Sequence, residues 1–281
     1  MDEQAVKSVG KREKKPISGR IPEIDIIRGI AVFFMIFDHF MFDVWGLLPF
    51  VFAEFPYDGT LWQKFVLLAV DYWQWGVREV IRYVIVFAFL ALTGICCSFS
   101  KNNLKRGIKL AAAALGLSLV TFIVGRIIGD DTAFISFGIL HAISLTLIII
   151  GLTEKIGTNE FVYLAVGVVS TAVGIYFLAK KPVYTYYGTE NFFVLVFKQA
   201  VGLIECGGDS AGIFFNGGQI FIGVFIGKTL YKGKKSLFKA KYPLKNPVCF
   251  VGRHSLIFYL AHQAVIPALL ILIVFCCGYR I

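Results

Sequence analysis

An all-α polytopic membrane bundle of about seven transmembrane helices, with its amino terminus in the cytoplasm, is the fold class this sequence predicts. Three observations point to it. Of 281 residues, 57% are hydrophobic and only 16% charged, and mean hydropathy is +0.74, far from an ordinary soluble domain. Apolar runs near the ~17–25 residues that cross hydrocarbon recur along the chain. Basic residues alternate between rich and poor connections.

The runs fall at 24–43, 80–99, 108–127, 134–152, 161–179, 211–227 and 248–275. The first follows a basic stretch (Lys11, Arg12, Lys14, Lys15, Arg20), carries Asp25, Arg28, Asp38, His39 and Asp43, and lacks a small-residue cleavage site. It therefore reads as a retained helix rather than a signal peptide. The connection 44–79 holds all four tryptophans, Trp45, Trp62, Trp73 and Trp75. An interfacial aromatic belt explains them; sugar stacking by Trp73 and Trp75 beside Asp58, Asp71, Gln74, Arg78 and Glu79 is the sharper alternative. Between the second and third runs lie Lys101, Lys105, Arg106 and Lys109, and the connection 228–247 is more basic still. Topology and attraction to anionic lipid headgroups account for both.

Connections on the amino-terminal side hold eighteen Lys and Arg, against seven on the other side. This places the amino terminus in the cytoplasm and the carboxyl terminus outside. Because a span buries its polar or small face only against other spans, residues 21–281 are expected to form one domain after a basic tail, 1–20. The net charge of +10 follows this topology, so no nucleic-acid partner is expected. The six cysteines include two adjacent pairs, Cys96–Cys97 and Cys276–Cys277, within apolar runs, a spacing that fits neither a zinc ribbon nor a disulfide framework. No metal site, P-loop or GxGxxG motif is expected.

Charges at membrane depth are expensive, and by default they mark function. On the first helix the eleven-residue step from Arg28 to His39 leaves a net rotation of about 20°, so both share a face about 16 Å apart along the axis. Asp25 and Asp43 fall within about 60° of that stripe, whereas Asp38 points away. His39 is the candidate base, since an imidazole takes up and returns a proton near neutral pH, and Asp43, one turn on, is its candidate orienter. Arg28, nearer the cytoplasm, suits a phosphate-bearing ligand. His141 lies in the fourth run, and Ser255, Tyr259 and His262 share a face in the last. A structural cluster of mutually neutralised groups is the plainer explanation of each alone.

Several blocks resemble a known family. They are Arg20–Gly29 (RIPEIDIIRG) with His39 following, Phe137–His141 (FGILH), Gly252–Leu256 (GRHSL) running on to Tyr259–Gln263 (YLAHQ), and Thr93-Gly94 with Asn103–Gly107 (NLKRG). They resemble the heparan-alpha-glucosaminide N-acetyltransferase catalytic-domain family, in its short bacterial members. The resemblance runs over nearly the whole chain from residue 20, and Arg28 to His39 has the spacing of the wider transmembrane acyltransferase superfamily.

What it implies is acyl transfer, usually acetyl, from cytoplasmic acyl-CoA to an extracytoplasmic or membrane-borne acceptor such as a glycan or glycolipid, in a bacterial inner membrane. Acetyl-CoA, or another acyl-CoA, would be a co-substrate, with no tightly bound cofactor; membrane lipids surround the protein, and a homodimer is one option. His39, Asp43 and His141 are then the catalytic candidates. Arg28, Arg106, Arg253 and Ser255 are candidates for the donor, and Asp25, Tyr259, His262, Trp73 and Trp75 for the acceptor. The sequence departs from many relatives at Asp209–Gln219 (DSAGIFFNGGQ), where they carry a proline and tryptophan segment. A proton-coupled transporter or lipid flippase using the same buried groups is the alternative, and a non-catalytic scaffold the third reading.

Overall fold

A computed structural model describes residues 20–52, 54–129, 133–180, 191–207, 209–238 and 246–280; the basic tail, 1–19, lies outside them. Eleven α-helices make up the described chain, and no strand occurs among those residues. α1 (Pro22–Phe42) runs through a π-helical turn, Asp43–Leu47, into the short α2 (Leu48–Val51). There follow α3 (Leu61–Gln74), α4 (Gly76–Cys97), α5 (Asn103–Ile128), α6 (Ile139–Lys155), α7 (Glu160–Lys180), α8 (Phe192–Val201), α9 (Ile213–Thr229), α10 (Pro247–Arg253) and α11 (Ser255–Cys276).

The starts of these helices are chemically marked. Thr60 accepts a hydrogen bond from the Gln63 N–H, Asn102 from that of Lys105 and Asn246 from that of Val248. Pro22 and Pro247 occupy first turns, where a missing N–H costs nothing.

Among the described residues, five helical stretches are long and apolar enough to cross a membrane: Pro22–Val51, Gly76–Cys97, Asn103–Ile127, Glu160–Lys180 and Ser255–Cys276. α6 and α9 have 17 residues each; α6 is shorter than the run expected at 134–152, and α9 is displaced two residues along from the run expected at 211–227. Both begin late because the backbone before them, at 133–138 and 209–212, is not α-helical. Such irregular chain is tolerated at depth only where it lines a cavity, and here it does. The run expected at 248–275 is two helices. His254 leaves helical geometry at φ −110° and ψ 25°, separating α10 from α11.

Glycine sets the packing. α9 lies in contact with α4, α6 and α7, and a methyl group at Gly223 would strike the Ala91 carbonyl of α4. Gly94 of α4 meets Ile220 in return, while Gly218 and Gly167 bring α9 against α7. Without a hydrophobic force between helices in lipid, close backbone approach of this kind supplies the attraction. α1 packs on α10 in the same way, with Gly252 against the Asp25 backbone, and α5 packs on α6 through Gly107 and Gly151.

Two groups of helices result. α1, α3, α10 and α11 gather around α1; α5, α6, α7 and α9 form the second group, and α4 touches both α1 and α9. At one end the carboxylate of Glu23 accepts from the Leu237 N–H and the Ser236 hydroxyl, each at 2.8 Å. The Asn103 amide donates to Glu154 there, and Phe99 meets Tyr231 edge-on. The more basic connections thus lie together at this end.

Candidate active site

Between the two groups is a cavity of about 1110 Å³, lined by α1, α3, α4, α5, α7, α9, α11 and the irregular segments before α6 and α9. Its polar wall includes Asp38, His39, Asp43, Arg78, Arg82, Asp209, Asn216 and Gln263. His39 faces it from the middle of the long α1 run. Its Nδ1 lies 2.8 Å from the Met35 carbonyl oxygen, one turn back. A carbonyl only accepts, so Nδ1 carries a hydrogen, and in the neutral ring Nε2 is the nitrogen with the lone pair.

His262 repeats this arrangement on α11. Its Nδ1 donates to the Phe258 carbonyl at 3.1 Å, and the ring stands edge-on to His39 with centroids 5.0 Å apart. The Nε2 of His262 is buried and has no hydrogen-bond partner among the described residues. Tyr259 lines the cavity one turn before it, its ring 5.9 Å from that of His262.

Asp43 also lines the cavity, from the π-helical turn, but its carboxylate makes no hydrogen bond to His39. The tautomer expected to be set by Asp43 is set instead by the Met35 backbone, because His39 turns its Nδ1 back along its own helix. His141 does not reach the cavity. Its Nδ1 accepts from the Gly138 N–H at 3.2 Å, and its Nε2 lies 3.2 Å from the Ser118 hydroxyl, which in turn donates to the Ile135 carbonyl. With both ring nitrogens engaged, His141 ties the start of α6 to α5.

Asp209 is the residue sequence reasoning missed. Its Oδ2 accepts from the Ile139 N–H at 2.8 Å and so caps α6 from the segment before α9. A side chain at Gly138 would collide with that carboxylate. The signal was present as the departure at Asp209–Gln219, which also contributes Asn216, held by its amide on the Gly212 carbonyl.

A second missed group is Asp38, which points away from the Arg28–His39 stripe toward α3 and α4. It accepts both arms of the Arg78 guanidinium at 2.7 Å and the Tyr72 hydroxyl at 3.0 Å. Arg78 in turn covers the Trp73 ring, 3.4 Å from its centroid, and Trp45 meets Trp73 at 5.8 Å. Trp73 lines the cavity as a support for Arg78. Trp75 sits at the break between α3 and α4, exposed and outside the cavity lining.

The remaining candidates lie toward the other end of α1. Arg28 reaches α4, donating to the Leu92 carbonyl at 3.3 Å and contacting Cys96 Sγ at 3.0 Å. Arg106 comes to the same place from α5, donating to the Cys96 carbonyl at 3.3 Å and the Asn103 side-chain oxygen at 2.9 Å. Both guanidinium groups therefore meet the carbonyl end of α4, where the helix dipole favours cations. Arg253 lies over Phe250 at 5.7 Å, Ser255 opens α11, and Asp25 pairs with Arg20 at 3.3 Å. None of these five lines the cavity.

A membrane-embedded helical bundle with an imidazole on the wall of a polar cavity defines the class. The family model described as "Heparan-alpha-glucosaminide N-acetyltransferase, catalytic" matches residues 20–264, and the chain belongs to that family. Among curated proteins and among solved structures, nothing matches it.

Proposed function

We propose that the chain is a transmembrane acetyltransferase that moves the acyl group of cytoplasmic acyl-CoA to an extracytoplasmic or membrane-borne acceptor, a glycan or glycolipid. The bundle crosses the membrane seven times, with α6 and α9 as short inner spans and the amino terminus in the cytoplasm. The observation that carries this reading is the His39 lone pair. A ring whose Nδ1–H is locked on Met35 presents Nε2 to the cavity already in the form a general base needs.

In the reaction, Nε2 takes the proton of the acceptor hydroxyl or amine as its oxygen or nitrogen attacks the thioester carbonyl carbon. The carbon–sulfur bond then breaks, and the departing CoA sulfur receives the proton back from His39. Asp209 and Asp43, both on the cavity wall, favour the transient imidazolium. Arg28 and Arg106 hold the donor's phosphates. Their contacts with Leu92, Cys96 and Asn103 are all to neutral groups, so both charges remain available to an anion. Neither Arg28 nor Arg106 lines the cavity, so donor entry opens a passage from them to His39.

Purified protein in lipid nanodiscs is expected to release thiol from acetyl-CoA when acceptor is present. His39→Ala is expected to lower the rate by about 10²–10⁴-fold, the usual range for a lost general base, while the melting temperature holds. Unchanged thiol release in that variant removes His39 from the mechanism. Arg28→Ala should raise the KM for acetyl-CoA more than it lowers kcat; a fall in kcat alone places Arg28 elsewhere.

A further inference from the structure

The cavity has a second wall of opposite character. α5 contributes Ala113, Gly116, Leu117, Val120, Thr121 and Val124, spaced three or four residues apart along one face. No free polar group interrupts this stripe. The Thr121 hydroxyl donates to the Leu117 carbonyl and accepts from the Ile135 N–H. Val120 and Val124 are 57% and 43% exposed, although one closely packed partner, α6, covers another side of α5.

Gly116 is the telling residue. Glycine inside a helix costs stability relative to alanine, and most glycines within the long helices recover it through a close helix contact, as Gly94, Gly107, Gly151, Gly167, Gly174, Gly218 and Gly223 do. At Gly116 an added Cβ would meet nothing within 4 Å. What its missing side chain provides is room in the wall of the cavity that His39 also lines.

We infer that the acceptor is an amphiphile whose alkyl or polyprenyl chain lies along the α5 stripe over Gly116, while its polar head meets His39, Asp209 and the Asp38–Arg78 pair. This rests on the acyltransferase reading above and narrows its acceptor to a lipid-linked one. A water-soluble sugar would leave an apolar wall uncovered beside the reacting group. A chain entering from the surrounding bilayer covers that wall with the same apolar contacts it leaves behind in lipid. The head is then fixed at the depth of His39.

The experiment compares dodecyl and methyl glucosaminide as acceptors in nanodiscs, with acetyl-CoA as donor, in the native chain, Gly116→Phe and His39→Ala. A Cβ at Gly116 meets nothing within 4 Å, so the Gly116→Phe ring starts out into open space rather than into a neighbouring backbone. The expected result is a KM for the dodecyl acceptor at least about tenfold below that for the methyl one, a gain worth only two or three buried methylenes. In Gly116→Phe that preference is expected to vanish through a higher KM for the dodecyl acceptor, while the melting temperature holds. Equal use of the two acceptors, or a preference that survives Gly116→Phe, overturns the inference, the second outcome meaning that ordinary bilayer lipid occupies the stripe. His39-dependent thiol release with no acetylated product from either glycoside also overturns it. Thiol release that ignores His39 refutes the base assignment instead and leaves a measured chain preference standing as evidence for the stripe.

Discussion

The polar contacts of the cavity differ in what each residue holds in place. Asp209 caps α6 and faces His39 at once, so its two roles separate by substitution. Asp209→Ala should lower stability by about 1 kcal/mol through the lost cap, whereas Asp209→Asn, which keeps an accepting oxygen, should retain most of it. Thermal melts of the two variants in one detergent make the comparison; equal losses would show that charge rather than the cap matters. The Asp38–Arg78 pair is bidentate, with side-chain exposures of 17% and 10%. Removing either partner should cost about 2 kcal/mol, less than for a fully buried pair, and the double variant should cost less than the sum of the singles. Additive losses in that cycle would mean the two side chains act independently.

Among the helices, the strongest constraint is the crossing of α4 and α9. Gly223→Leu drives a branched side chain into the Ala91 backbone and should destabilise the fold by about 3 kcal/mol or more, since backbone cannot yield as a side chain can. Gly116→Ala, by contrast, should be neutral or stabilising by up to about 1 kcal/mol. A chemical or thermal melt that ranks the two alike would remove the distinction between packing glycine and cavity glycine. The long helices were legible in the sequence because hydropathy reports lipid exposure, and α4, α5 and α7 lie within a few residues of the expected runs. The late starts of α6 and α9 were not legible. Segments 134–138 and 211–212 are as apolar as a helix; α6 starts where Asp209 caps the Ile139 N–H after the extended Gly138, and α9 starts after the extended Gly212. The break at His254 was hidden for the same reason, within a run of uniform hydropathy. At the site, periodicity along α1 singled out His39, and hydropathy singled out His262 as a polar group at depth. It could not find Asp209 or pair Asp38 with Arg78, because those contacts join residues 70 and 40 positions apart.

For the whole molecule, the alternation of basic connections gives an orientation that the thiols can test. Cys276 and Cys277 are exposed at the end of α11, whereas Cys97, Cys206 and Cys249 are buried. With the carboxyl terminus outside, a membrane-impermeant maleimide should label Cys276 and Cys277 in intact spheroplasts; labelling only after lysis reverses the orientation. Under the proposed orientation Arg28 and Arg106 would lie on the cytoplasmic, donor side of His39, and the cavity that His39 lines would serve the acceptor. Two substrates from opposite compartments could then meet at one imidazole, and a transporter would need no such meeting.

A density map of the protein in nanodiscs with a non-hydrolysable acetyl-CoA analogue tests that arrangement most directly. The expected map places the nucleotide beside Arg28 and Arg106 and the acyl carbonyl within reach of His39 Nε2. A nucleotide bound in the outer cavity, or an acyl group ending far from His39, would contradict it.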